Sequence, residues 1–420
     1  MKSAEKLNMA RSLELFEHAK NLVPGGVVGA RHPRNFVEGE YPIFLESGKG
    51  GRIIDIDGNE YIDLLCGYGP ISLGYREEEV DEAVIKVITD KGLCFSLTQR
   101  YQAQLAEKLR EFIPCSELSL FTKTGSGSCT AAVRIARAYT KKIKIMRCGF
   151  HGWHDWCVEV KGGIPEKLYE DVYEFHYNNL NELEDLMVKH GNETAAIIMT
   201  PFGHPLHSKM EEPAPGFLEG VREIATRYGA VLIFDEIRTG FRLRMGGAQQ
   251  LYGVTPDLSI FGKGMANGYA IAALTGKAEI MKVAEKDVMV SSTFFGNSDG
   301  YVAALKTIEI MERDNVIDKI WKKGNHFLGK LRGIISKYDI GVELTGIAPM
   351  YFITFEKDKA GTHKGRRDDF YAQLIRKGVF LAPYHHGYIC HRHTERDLEI
   401  AAKAIDESLA YVSEKYGTFK

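Results

Sequence analysis

The stretch Val231-Leu232-Ile233-Phe234-Asp235-Glu236 runs four apolar residues into two carboxylates. A strand with one wet face alternates polar and apolar side chains. An unbroken apolar run of this length instead reads as a strand buried on both faces. Five more short runs accompany it, at 118–121, 143–148, 195–200, 258–261 and 271–275, punctuated by Gly or Pro. Helical stretches at 101–112, 129–139 and 217–228 alternate with them. That alternation predicts an α/β fold: a mostly parallel sheet flanked by helices.

Outward from this centre the pattern changes. Residues 7–22 read as an amphipathic helix that stops at Pro24-Gly25-Gly26. Two alternating runs in 51–63 flank Asp57-Gly58-Asn59, a β-hairpin signal. After about residue 320 come a helix, a strand at 351–355, and helices at 370–376 and 397–411, a smaller α+β domain. The expected division is an N-terminal segment, 1–75, packing with the small domain; a large domain, 76–318; and a C-terminal small domain, 319–420.

Bulk chemistry narrows the classes. The chain has 420 residues, with 54 Lys plus Arg against 56 Asp plus Glu. A net charge of -2 offers no electrostatic reason for a nucleic acid or membrane partner. Seven scattered cysteines without a CxxC pair argue against a disulfide framework or a structural zinc site, and for a reducing compartment. No apolar run nears the roughly 20 residues that span a bilayer. The N-terminus lacks a signal-peptide core, so the expected location is the cytoplasm.

Ligands of open α/β sheets sit beyond the carboxyl ends of strands. Four polar features stand there. Thr124-Gly125-Ser126-Gly127-Ser128 opens a helix with small residues, which suits a phosphate on free N–H groups, although such a turn is as readily only a turn. The glycine pattern matches neither a Walker loop nor a dinucleotide fingerprint. Asp235 ends its run as a carboxylate that needs a cationic partner or serves as a cap. Lys263 follows another run between Gly262 and Gly264, where close ligand approach and partial desolvation suit Schiff-base chemistry, although a lysine after a strand is by itself more commonly a surface one. Phe150 and His151 follow a third. Together, a phosphate cradle, a carboxylate, a lysine and an aromatic ring are the parts of a pyridoxal 5′-phosphate site.

The sequence also resembles the class III, fold type I pyridoxal-phosphate aminotransferases, including glutamate-1-semialdehyde 2,1-aminomutase and its aminotransferase relatives. The resemblance runs over nearly the whole chain. It is carried by Val23-Pro24-Gly25-Gly26-Val27, by the 55–63 and 69–74 stretches, by Phe234-Asp235-Glu236-Ile237-Arg238-Thr239-Gly240, by Phe261-Gly262-Lys263, and by Thr293-Phe294-Phe295-Gly296-Asn297. It implies that Lys263 carries the cofactor and shuttles the proton. It further implies that Asp235 meets the pyridinium nitrogen, that Ile237 and Phe150 cover the ring faces with His151 alongside, and that Gly125 and Ser126 hold the phosphate. It implies that Thr293 reaches the neighbouring subunit's cofactor, hence a homodimer with shared sites. Three positions depart from the relatives, each where a Glu is common: Gly127, Thr200 and His385. All three bear against aminomutase activity.

The tract from Tyr384 to His393 holds four histidines, with His391 and His393 spaced as on a strand. Metal binding is disfavoured by the lack of acidic or Cys neighbours, so no metal is expected. The readings left are core or solvated histidines, or substrate contact, foremost through His385. Arg31 and Arg34, after the Gly-Gly turn, are candidates for a substrate carboxylate or plain surface charges. The expected activity is transfer of an amino group from an amino acid, glutamate foremost, to a ketone or aldehyde. The alternatives are an aminomutase or racemase on the same chemistry, and a catalytically silent cofactor-binding protein.

Overall fold

The computed structural model describes residues 3–203, 209–359 and 361–419. They form two compact units, one of 78–203 with 211–317, the other of 3–77 with 209–210 and 318–419.

The larger unit is built on a seven-stranded sheet. Its order is Leu118–Thr122, Ala272–Gly276, Leu258–Phe261, Val231–Asp235, Thr194–Met199, Lys144–Cys148, Val172–Glu174. Ala272–Gly276 is antiparallel to both neighbours, and every other pairing is parallel. The three central strands are buried along their whole length, the property their apolar runs encode. Ile198, Ile233 and Ile260 pack with Ala132, Ile135 and Ala136 of the helix Gly125–Thr140. Ile197, Leu232 and Phe234 face the other way, onto Leu183, Val221 and Ile224 of the helices Leu180–His190 and Phe217–Tyr228. That helix Gly125–Thr140 begins four residues earlier than its apolar pattern suggests, because its first turn is made of small residues with nothing to bury.

In the smaller unit, the predicted hairpin forms between Arg52–Asp55 and Glu60–Asp63, with Ile53 opposite Tyr61. Val379–Phe380 adds to it in parallel, so residues from both ends of the chain share one sheet. A second sheet joins Val342–Ile347, Met350–Phe355 and Gly387–Tyr388. The last helix, Glu395–Tyr416, starts at a capping box between Thr394 and Asp397.

The N-terminal helix spans Ala10–Ala19, shorter than its amphipathic pattern. Met9, at its N-cap, offers no side-chain acceptor, and the Ala10 N–H is met locally by Asn8 Oδ1 (3.2 Å). Asp57, in the hairpin turn, accepts from the N–H groups of Arg11 (2.8 Å) and Ser12 (2.9 Å) instead. A distant carboxylate thus defines where the helix starts, as a capping side chain would. Asp57→Ala should destabilise the protein by about 1 kcal/mol, the usual worth of an N-cap. The expected signature is a lower urea midpoint with an unchanged m-value, and Asp57→Asn should keep most of the loss from appearing.

Candidate active site

The helix Gly125–Thr140 supplies the first component. Thr124 caps it, its Oγ1 accepting from the Gly127 N–H (3.2 Å), and the Thr124 carbonyl accepts from Ser128. The Gly125 and Ser126 N–H groups, ahead of any intrahelical acceptor, are left to face an anion at the positive end of the dipole. Loops close tightly on this turn. A Cβ on Gly125 would fall 2.3 Å from Ile237 Cδ1, and one on Gly152 2.2 Å from Ser126 Oγ. Ile237 Cγ2 is also 3.8 Å from where a Gly262 Cβ would stand. Ile237 therefore lies between the cradle and the loop that bears Lys263.

Asp235 is the second component. It is 4% exposed, yet both oxygens are engaged. Oδ2 bonds His151 Nδ1 at 2.9 Å and accepts from the Cys129 thiol at 3.6 Å, and Oδ1 accepts from the Ile237 N–H at 3.1 Å. Burial and the Asp235 charge push the Cys129 thiol well above its usual pKa, so it keeps its proton and serves as a donor rather than a metal ligand. His151 Nε2 is buried without a partner. Cys129 was not legible as a site residue. Its only signal is its place one turn beyond Gly125, which aims it at the same strand end.

Lys263 opens a short 3-10 turn, Lys263–Ala266, with φ 45°. That left-handed conformation is costly for a residue with a side chain and persists where surrounding structure demands it. Desolvation, and then the positive charge of Arg238, hold its amine pKa well below 10.5, against an opposing pull from Asp235. The side chain remains partly exposed, so it faces a recess rather than packed core.

Phe150 is 38% exposed, presenting a ring surface beside His151. Thr200 is buried beneath the same loop, its Oγ1 only 2.7 Å from the position a Gly149 Cβ would take. Thr293 belongs to an exposed turn, and its carbonyl accepts from the Cys94 thiol (3.9 Å). Near Gly127 a Cβ would meet nothing closer than Thr124 Oγ1 at 3.4 Å, so no steric reason for glycine is present there.

Arg31, Arg34 and His385 belong to the smaller unit. His385 packs edge-on to Tyr68 with ring centroids 5.0 Å apart, and Tyr68 donates to the Ala30 carbonyl (2.8 Å), next to Arg31. Tyr68 was missed in the sequence, although its flanking Gly67 and Gly69 marked an unusual turn. The 391–393 segment is a turn rather than a strand. His391 and Arg392 donate their N–H groups to Ser72 and Leu73 carbonyls, and Lys323 bonds the carbonyls of His391 (2.6 Å) and His393 (2.9 Å). The expectation that the tract has no Cys neighbour is corrected: Cys390 lies within it, and packing adds Cys66, so that Cys66, Cys390 and His393 place their donor atoms within 4.8 Å of one another. His393 nonetheless has both ring nitrogens engaged, Nδ1 by the Cys390 N–H (3.0 Å) and Nε2 by the Asp63 carbonyl (3.1 Å). No imidazole lone pair is left for a metal.

Comparison with known proteins agrees with this geometry. The family model for class III aminotransferases matches residues 36–410. The 3-aminobutyryl-CoA aminotransferase of Cloacimonas acidaminovorans (strain Evry) is 60% identical over 97% of this chain and 99% of its own length. Glutamate-1-semialdehyde 2,1-aminomutase 2 of Lachnoclostridium phytofermentans is 32% identical over 96% of this chain and 99% of that one. The FumI protein of Sphingopyxis sp. MTA144, solved in its PLP internal aldimine form, matches with a TM-score of 0.92 at 28% identity, covering 98% of each chain. The free N–H groups at Gly125 and Ser126, the buried Asp235 and the desolvated Lys263 amine fit pyridoxal 5′-phosphate, the cofactor of these enzymes. The chain belongs to the class III aminotransferases, enzymes that use pyridoxal 5′-phosphate to move an amino group from a donor to a carbonyl acceptor.

Proposed function

We propose that this enzyme exchanges the amino group of a 3-aminoacyl-CoA thioester with a 2-oxo acid, glutamate and 2-oxoglutarate being the amino acid pair. The observation that carries the substrate is the 60% identity, over 97% of the chain, to a 3-aminobutyryl-CoA aminotransferase. His385, at a position where aminomutases carry Glu, sits against Tyr68 and supports a transaminase over a mutase.

The residues take the following parts. Gly125 and Ser126 hold the cofactor phosphate, Ile237 and Phe150 flank its ring, and Asp235 holds a proton on its ring nitrogen. His151 and Cys129, both directed at Asp235, keep that carboxylate oriented. Bound there, pyridoxal 5′-phosphate supplies a carbonyl that condenses with amines and a ring that takes up electrons when the adjacent carbon loses a proton. Lys263 holds the cofactor, then takes the proton from the amino-bearing carbon of the substrate. Thr293, on its exposed turn, reaches the cofactor of a second copy. The recess of about 700 Å³ lined by Phe95, Leu97, Thr293 and Phe295 is the surface that copy covers in a homodimer.

Three outcomes test this reading. Purified enzyme given 3-aminobutyryl-CoA and 2-oxoglutarate should form glutamate, and glutamate 1-semialdehyde should not isomerise; the reverse pattern would discard the transaminase assignment. Lys263→Ala should cost roughly 10²–10⁴-fold in turnover, the size of a lost general base, measured by glutamate release.

The lowered amine pKa sets a pH test with a definite sign. An ordinary lysine gains about tenfold in neutral amine per pH unit below 10.5. The Lys263 amine is shifted below that range, so covalent capture of pyridoxal 5′-phosphate by the apoenzyme should set in at lower pH than capture by a free lysine. Arg238→Met removes the nearby like charge. It should lower the amine pKa's depression and shift the capture profile to higher pH, read by the cofactor's visible absorbance.

A further inference from the structure

A coenzyme A thioester has a reacting acyl end, an uncharged pantetheine arm and a multiply charged phosphorylated adenosine. A protein site for the last two needs a slot with few polar groups and fixed cations at its rim. The smaller unit has both. A recess of about 330 Å³ is lined by Val27, Phe36, Phe44 and Phe380, with Tyr68 and Asp63 among its few polar side chains and Arg31 at its edge. The loop over 27–35 carries Arg31 and Arg34, both exposed and neither in an ion pair among the described residues. Four other arginines of this unit, Arg52, Arg366, Arg376 and Arg392, each pair with a carboxylate.

This loop is also held in place. Tyr68 donates to the Ala30 carbonyl (2.8 Å), Asn35 Nδ2 to the Gly29 carbonyl (3.2 Å), and the Arg34 N–H to His32 Nδ1 (3.2 Å). A pinned backbone that presents two unpaired guanidiniums beside an apolar slot is preorganised for phosphate. Arg31 is close enough to Tyr68 to offset part of the upward push that burial gives its hydroxyl, which stands at about 12. The acyl end of a thioester has no free carboxylate, so within that substrate only the phosphates call for these cations; the carboxylates of glutamate are the competing claim.

We propose that this recess accepts the pantetheine arm of a coenzyme A thioester and that Arg31 and Arg34 bind its phosphates. The proposal rests on the 3-aminoacyl-CoA reading above and specifies how the tail of that substrate is held. Tyr68, which contacts both this loop and His385, links the slot to the corner where substrate contact was expected.

Calorimetric titration of the holoenzyme with coenzyme A, pantetheine and adenosine 3′,5′-bisphosphate tests it. Coenzyme A should bind, more weakly as salt rises, and the bisphosphate should compete. Arg31→Ala/Arg34→Ala should weaken coenzyme A by about tenfold or more per lost charged contact, while pantetheine affinity stays the same. Arg31→Lys/Arg34→Lys should recover part of the loss. Val27→Trp, which fills the slot, should weaken both coenzyme A and pantetheine. Unchanged coenzyme A binding in the double alanine variant would overturn the proposal, as would a loss confined to free 3-aminobutyrate, which would make the arginines carboxylate ligands. Should that variant unfold, the wild-type salt dependence and bisphosphate competition decide alone, and absence of either overturns it. The two readings fail separately. Coenzyme A bound as described but no thioester aminated defeats the activity; a thioester aminated with coenzyme A indifferent to the arginines defeats the recess.

Discussion

A carboxylate buried at the end of a parallel strand is the constraint around which the larger unit is organised. Asp235 is buried in that position with both oxygens engaged, and each donor comes from a different part of the chain. Cys129 arrives on the helix that starts at the phosphate cradle, His151 on the loop after Lys144–Cys148, and the Ile237 N–H on the turn after the strand itself. An unpaired carboxylate there would cost several kcal/mol. Satisfying Asp235 therefore also sets the spacing between the cradle, the 149–152 loop and Ile237.

The close contacts around this centre explain why glycines recur in it. Gly125 must leave space for Ile237, and Gly152 for Ser126, so the turn at 124–128, Ile237 and the 149–152 loop pack closely together. Lys263 is delivered to the same region from the next strand over, with its backbone in the left-handed region. Burial and the charge of Arg238 shift its amine below the usual lysine pKa, which favours the neutral form relative to a free lysine.

The smaller unit uses a different device. The tract that ends at His393 is stitched to residues 62–77 by backbone bonds and by the Arg392–Glu77 pair, and Lys323 braces it from the helix Val316–Ile335. The histidines of that tract divide accordingly. His393 is a buried crosslink, and Gly51 is glycine because a Cβ would stand 2.3 Å from its ring. His386 lies edge-on to Phe352 in the core, while His385 lies edge-on to Tyr68.

The apolar runs and their terminal polar residues were enough to read the sheet, the flanking helices and the places where chemistry gathers. Burial on both faces and the crossover connection are local patterns that each segment carries in itself. Lys263, Asp235 and Gly125 stood out as candidates for the same reason: each comes within four residues of the end of such a run, where an open α/β sheet meets its ligand. Other features depend on segments far apart in the chain. The start of the Ala10–Ala19 helix is set by Asp57, and the thiol on Asp235 comes from over 100 residues away. The company that His393 keeps and the recess beside Arg31 likewise exist only once the chain ends pair with each other. Strand periodicity states what a segment needs to bury; which distant donor, cation or ring satisfies it is decided by packing in three dimensions.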